Sequence, residues 1–151
     1  VYVARAKEEI ADPRVTRLFP DYKQTEREYF QQTGIFPIMH VTVIKREIVD
    51  KYPWAAVSLA KAFEKSKQLC YQRVVNPRVI PLAWFSHQWD EERKALGADP
   101  WAYGLGEANR KNLQTISRYC HQQGLIKREM SIEELFVDTD PGDAGGDEGH
   151  Y

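Results

Sequence analysis

Residues 38–45, IMHVTVIK, form a nearly continuous apolar run in a chain otherwise patterned for helices. A run of this kind reads as a strand covered on both faces rather than a half-exposed hairpin strand. No helix constrains a fold as strongly, because a strand's N–H and C=O groups point sideways and need neighbouring strands to receive them. Only Val1-Tyr2-Val3-Ala4 is otherwise β-branched and aromatic enough to be the end of a strand. The expected inventory is therefore helix-rich, with one strong buried strand and one fragmentary one. Its partner strands are expected from upstream polypeptide or from another chain, since the chain starts inside strand-like residues without a Met.

Period-2 alternation places Ile38, His40, Thr42 and Ile44 on one side of that strand and Met39, Val41 and Val43 on the other. Two readings of His40 stand side by side. In one, the imidazole is buried and satisfied by a backbone carbonyl or by the Thr42 hydroxyl. In the other, it lies near a strand end, after a Gly34-Ile35-Phe36-Pro37 turn that forms a pocket wall, and it donates or accepts a proton. Arg5, delivered to a loop by the first strand, reads either as a surface ion-pair partner or as a carboxylate clamp. Trp84, Phe85, Trp101 and Tyr103 read as hydrophobic core in preference to a ligand cage.

The helices are marked by local signals. Asp21 stands where an N-cap belongs and Gly34 where a left-handed C-cap belongs, predicting a helix over 21–33. Arg46 to Lys51 makes about one turn before Pro53 opens a long helix over 53–73. On it, Ala56, Leu59, Ala60, Phe63 and Cys70 form the expected buried stripe, while Lys61, Glu64, Lys65 and Lys67 face water. Ser86 is the expected cap of a helix ending at Gly97. A turn-rich stretch, Asp99 to Gly104, precedes a helix over 108–123 that Gly124 stops. Ser131-Ile132-Glu133-Glu134 is a capping box before a short last helix.

Composition narrows the function classes. Of 151 residues 42% are hydrophobic and 28% charged, enough to build a core. Five acids between Asp138 and Glu148 stand with no Lys or Arg among them, and without them the net charge of -1 becomes about +4. That mild value gives no case for nucleic acid, and the tail reads as disordered. No apolar run reaches the roughly 18 residues that span a bilayer, and no signal peptide opens the chain, so a soluble, cytoplasmic protein is expected. Cys70 and Cys120 lack C-x-x-C spacing and read as buried free thiols in preference to a disulfide, which stays open. His40, His87, His121 and His150 show no metal-ligand spacing. Gly104-Leu105-Gly106 fails as a dinucleotide fingerprint, because the third glycine position holds Asn109 and no strand precedes it. Asp138 to Asp143 fails as a calcium loop, because Gly149 stands where a bidentate Glu is needed.

Several stretches carry a resemblance: Val15 to Tyr22, Glu28-Tyr29-Phe30, Thr33 to His40, Tyr52-Pro53-Trp54 with Lys61-Ala62-Phe63, Trp101 to Leu105, Ala108-Asn109-Arg110, the helix ending Gln123-Gly124-Leu125, and Glu133 to Phe136. Together they resemble the C-terminal half of the 4,5-dihydroxyphthalate decarboxylase family, itself similar to type II periplasmic binding proteins. The resemblance implies two α/β lobes with the ligand between them and makes 38–45 an interlobe crossover strand. It assigns 1–45 to the end of the second lobe and that strand and 46–137 to helices packing on the first lobe, while 138–151, the disordered acidic tail, has no counterpart in it. The implied reaction is loss of CO₂ from a dihydroxylated aromatic dicarboxylate, giving protocatechuate; no cofactor is called for, no residue is singled out as a metal ligand, and metal dependence stays open. His40 is the candidate acid, with Arg5, Phe36 and Thr42 around the substrate. The implied partners are a small aromatic carboxylate and the missing N-terminal lobe or another chain, and a homo-oligomer stays open. Two alternatives also stay open: a solute-binding protein for transport or sensing, and an inactive fragment.

Overall fold

The computed structural model describes residues 13–76 and 78–139. The chain divides into two compact units, one ending at Gly34 and the other beginning at Ile35. The first unit contains helix α1 (Tyr22–Thr33). The Asp21 carboxylate accepts the Gln24 N–H at 3.3 Å, satisfying one of the donors that a helix start leaves open. Gly34, at φ 64°, turns the chain out of the helix, and its N–H donates to the Phe30 carbonyl at 2.6 Å. Both ends lie where Asp21 and Gly34 predict them.

The second unit holds α2 (Arg46–Lys51), α3 (Trp54–Val74), α4 (Phe85–Leu96), α5 (Glu107–Gln122) and α6 (Ile132–Leu135). The short α2 runs into α3 through Tyr52-Pro53 and packs on it, and α6 packs on α5. The Ser117 hydroxyl fixes the α5–α6 connection, donating to the Met130 carbonyl and accepting the Met130 N–H, each at 3.1 Å. Ser131 then opens α6 with the predicted capping box: its hydroxyl accepts the Glu134 N–H at 3.3 Å, and the Glu134 carboxylate accepts the Ser131 N–H at 2.9 Å. Arg128 braces the same carboxylate. No helix among the described residues is long and apolar enough to cross a membrane.

The α/β expectation is overturned. Among the described residues there is no strand, and 38–45 runs as irregular chain into α2. Met39, Val41 and Val43 are exposed rather than buried, Val43 at 85%. A strand exists only where a neighbour receives its sideways N–H and C=O groups, and no described residue supplies one. The buried crossover strand, and with it the two-lobe binding-protein-like architecture, is therefore not supported. Val1 to Ala4, Arg5 and the tail from Asp140 onward lie outside the described residues.

Smaller corrections concern faces and caps. Along α3, Ala56 is buried and Leu59 and Ala60 are half-buried, but Phe63 and Cys70 are exposed and Lys67 is buried. Both cysteines are free, Cys70 exposed and Cys120 half-buried, so neither is the enclosed thiol expected. Helix α4 starts at Phe85, and Trp84 occupies the cap position with no side-chain bond, leaving Ser86 inside the helix.

Candidate functional site

Phe63, Lys67 and Tyr71 recur every four residues along α3, which brings them onto one face of the helix. The connection between α4 and α5 meets that face. Lys67 Nζ donates to Asp99 Oδ2 at 2.5 Å, to the Trp101 carbonyl at 3.3 Å, and contacts Glu64 Oε2 at 2.9 Å. An ammonium has three N–H donors, so Lys67 is saturated, and its side chain is only 7% exposed. The Tyr71 hydroxyl donates to the other Asp99 oxygen at 2.9 Å.

A second group of bonds reaches the same connection from α5. Asn109 Nδ2 donates to the carbonyls of Ala102 and Gly104 at 2.8 and 2.9 Å. Arg110 Nε donates to the Leu105 carbonyl at 2.9 Å, and its Nη1 pairs with Glu133 at 2.8 Å. The carbonyls of residues 101, 102, 104 and 105 are thus held by three side chains from two helices. Gly104 sits at φ 82°, a left-handed conformation that a residue with a Cβ adopts at a cost.

The pinned loop carries aromatic rings. Trp101 meets Phe36 edge to face, with centroids 5.1 Å apart and planes at 88°. Tyr103 lies 6.2 Å from Phe63 and 5.0 Å from Lys67 Nζ. Behind them Tyr71 meets Trp89 at 5.3 Å, and the Arg93 guanidinium lies 4.5 Å from the Trp89 centroid. Trp101 and Tyr103 nevertheless remain 51% and 54% exposed, and Trp84 is 77% exposed. The core reading of these three rings is therefore corrected.

The charges of the clamp are locked. Burial pushes the Asp99 carboxyl up, but the hydrogen bonds from Lys67 and Tyr71 outweigh it and hold the group below its ordinary value. Burial likewise pulls Lys67 down, and its bonds to Asp99 and Glu64 return it to above the ordinary lysine value. The Gln68 and Lys67 hydrogen bonds lower Glu64. Burial, then donation to Asp99, raises the Tyr71 phenol. A general acid works best with a pKa near the working pH. Bonded to one another in this way, these groups are suited to clamp and orient the loop.

Of the residues singled out in the sequence, Phe36 joins this cluster through Trp101. His40 and Thr42 are exposed in the irregular segment, and neither makes a hydrogen bond among the described residues. The buried, satisfied imidazole is thereby excluded. Arg5 lies outside the described residues. Lys67 and Asp99 are what the sequence reading missed. The available signal was the four-residue spacing of Phe63, Lys67 and Tyr71 on one helical face, opposite an acid in a turn. An open apolar hollow lined by Ile80, Pro81, Leu82, Ala83, Phe85 and Ser86 brings together no acid, base or cation.

No family model matches the chain. Over 129 residues it is 30% identical to the 4,5-dihydroxyphthalate decarboxylase of Comamonas testosteroni, a match that covers 82% of this chain and 38% of that enzyme. The resemblance read from the residues thus has a curated counterpart, and the chain is related in sequence to 4,5-dihydroxyphthalate decarboxylase.

Proposed function

We propose that this protein removes CO₂ from a dihydroxylated aromatic dicarboxylate of the 4,5-dihydroxyphthalate type, giving protocatechuate. The observation that carries the reading is the match to the Comamonas testosteroni decarboxylase across 82% of the chain. The chemistry asks little of a protein. The phenolic oxygen para to the departing carboxylate pushes electron density onto the ring carbon that bears it, and an acid delivers a proton to that carbon. The carbon–carboxylate bond then breaks, CO₂ leaves, and the bonding pair restores the aromatic ring. One proton enters for each CO₂ released. The site needs a proton donor, a cation for the carboxylate that stays, and an apolar surround.

His40 is the proposed donor, since an imidazole is the side chain that most often carries a proton to a reacting group. Its exposure leaves it open to a substrate. It lies four positions after Phe36, a chain span of at most about 14 Å. Arg5 is the proposed carboxylate holder, Phe36 a wall of the ring site, and Thr42 a hydroxyl that bonds a substrate oxygen.

The test follows protocatechuate release from 4,5-dihydroxyphthalate by the protein in its full natural length. His40→Asn is expected to abolish turnover while aromatic dicarboxylate binding stays within about tenfold, or roughly 1.4 kcal/mol. Undiminished turnover in that variant sinks the acid role. Binding without any product, in the unmodified protein, sinks the decarboxylase reading itself.

A further inference from the structure

We infer that Trp101 and Tyr103 form the surface on which the substrate's aromatic ring stacks, and that Lys67, Asn109 and Arg110 are positioning residues that hold this surface ready. The inference rests on the aromatic substrate proposed above and adds residues that reading does not assign.

An exposed aromatic side chain alone carries little meaning, since much of any protein surface is apolar. The loop beneath these two is what differs. Surface loops usually leave their carbonyls to water and keep their mobility. Here four carbonyls in five residues are bound by side chains from α3 and α5, although the rings above them remain about half exposed. Pinning a backbone that carries exposed rings orders a chain segment at an entropic cost without completing a core. Ordering of that kind favours binding, because a ligand then meets rings already in place and orders nothing further.

The chemistry of the surface selects the ligand. Phe36 meets Trp101 edge to face and Phe63 flanks Tyr103, so both rings are held by aromatic neighbours while part of each faces outward. Such a surface recognises a flat π-system. It does not recognise a carboxylate through Lys67, whose ammonium is enclosed and already bonded to Asp99, Glu64 and the Trp101 carbonyl. Ring recognition and charge recognition are therefore separate tasks in this protein, and the loop performs the first. The same bonds account for two stretches of the resemblance, Trp101 to Leu105 and Ala108-Asn109-Arg110, as the two halves of one clamp.

The experiment uses the protein in its full natural length and phthalate, an aromatic dicarboxylate without the phenolic oxygens that decarboxylation needs. Trp101→Leu and Tyr103→Leu are expected to raise the phthalate Kd at least tenfold. They should raise KM for 4,5-dihydroxyphthalate by the same factor with kcat within twofold, the pattern of lost uniform binding. Trp101→Phe keeps a ring and is expected to stay within about threefold. Lys67→Met and Asn109→Ala are expected to weaken phthalate binding with the same KM-against-kcat split, and Lys67→Arg to recover part of the loss. Should a variant fold poorly, the indole N–H resonance of Trp101 in the unaltered protein reports directly, and it is expected to shift on phthalate addition. Kd values within twofold for both Leu variants, or a Trp101 resonance that phthalate does not move, overturn the inference. Phthalate binding that depends on Trp101 without any CO₂ release from 4,5-dihydroxyphthalate overturns the decarboxylase reading and leaves this one standing. Decarboxylation with unchanged KM in the Leu variants does the reverse.

Discussion

Lys67 shows how one residue can be misplaced by a correct helical periodicity. A wheel drawn for α3 sees only α3 and puts this lysine on the water side, whereas its partner Asp99 lies 32 residues further along the chain. The pair gives the loop a definite pH window. Asp99 is held below its ordinary value of about 3.9, so its contribution to stability is complete above that value and is lost as pH falls through the lowered one. Lys67 is held above its ordinary value of about 10.4, so its contribution is complete below that value and is lost as pH rises through the raised one. The clamp is thus expected to hold from about pH 4 to pH 10, and to release first on the acid side in any ordinary acid titration. Trp101 fluorescence, compared between the unaltered protein and Asp99→Asn, checks this. The variant should lack the acid transition, and a transition of equal size in both would remove Asp99 from the account.

At the scale of the element, local chemistry was legible and distant partnership was not. Asp21, Gly34 and the Ser131–Glu134 box each act within four residues, so their roles could be read directly and appear where expected. Ser131→Ala is expected to destabilise the α5–α6 end by about 1 kcal/mol, measured by urea denaturation with helicity as the signal. An unchanged midpoint would show that the Ser117–Met130 bonds suffice without the cap. The segment 38–45 failed as a strand for the complementary reason: its composition is right for a sheet, but the described residues contain no second strand to pair with. Asp99 reads in sequence only as part of a turn, Trp101 as a core ring and Asn109 as a helix residue, because their meaning lies in carbonyls and cations brought together from α3 and α5. Among the described residues, Phe36 meets Trp101 ring to ring.

At the scale of the molecule, the resemblance was readable because it depends on an ordered series of short stretches rather than on any fold inference. It extends to 38% of the length of the relative. The apolar side chains that the sequence seemed to promise to a core are only partly used. Ala56 and Ile132 are the buried apolar residues among those described, while Trp84, Leu18, Val43 and others stand in water. The 151-residue chain studied by itself is accordingly expected to brighten a hydrophobic dye such as ANS strongly at neutral pH, and to scatter light increasingly as its concentration rises. Weak dye emission together with a concentration-independent sedimentation coefficient would contradict that expectation. The exposure of Val43 and Trp84 thus becomes a practical property: this chain will behave as a sticky solute, retained on hydrophobic media and calling for dilute handling.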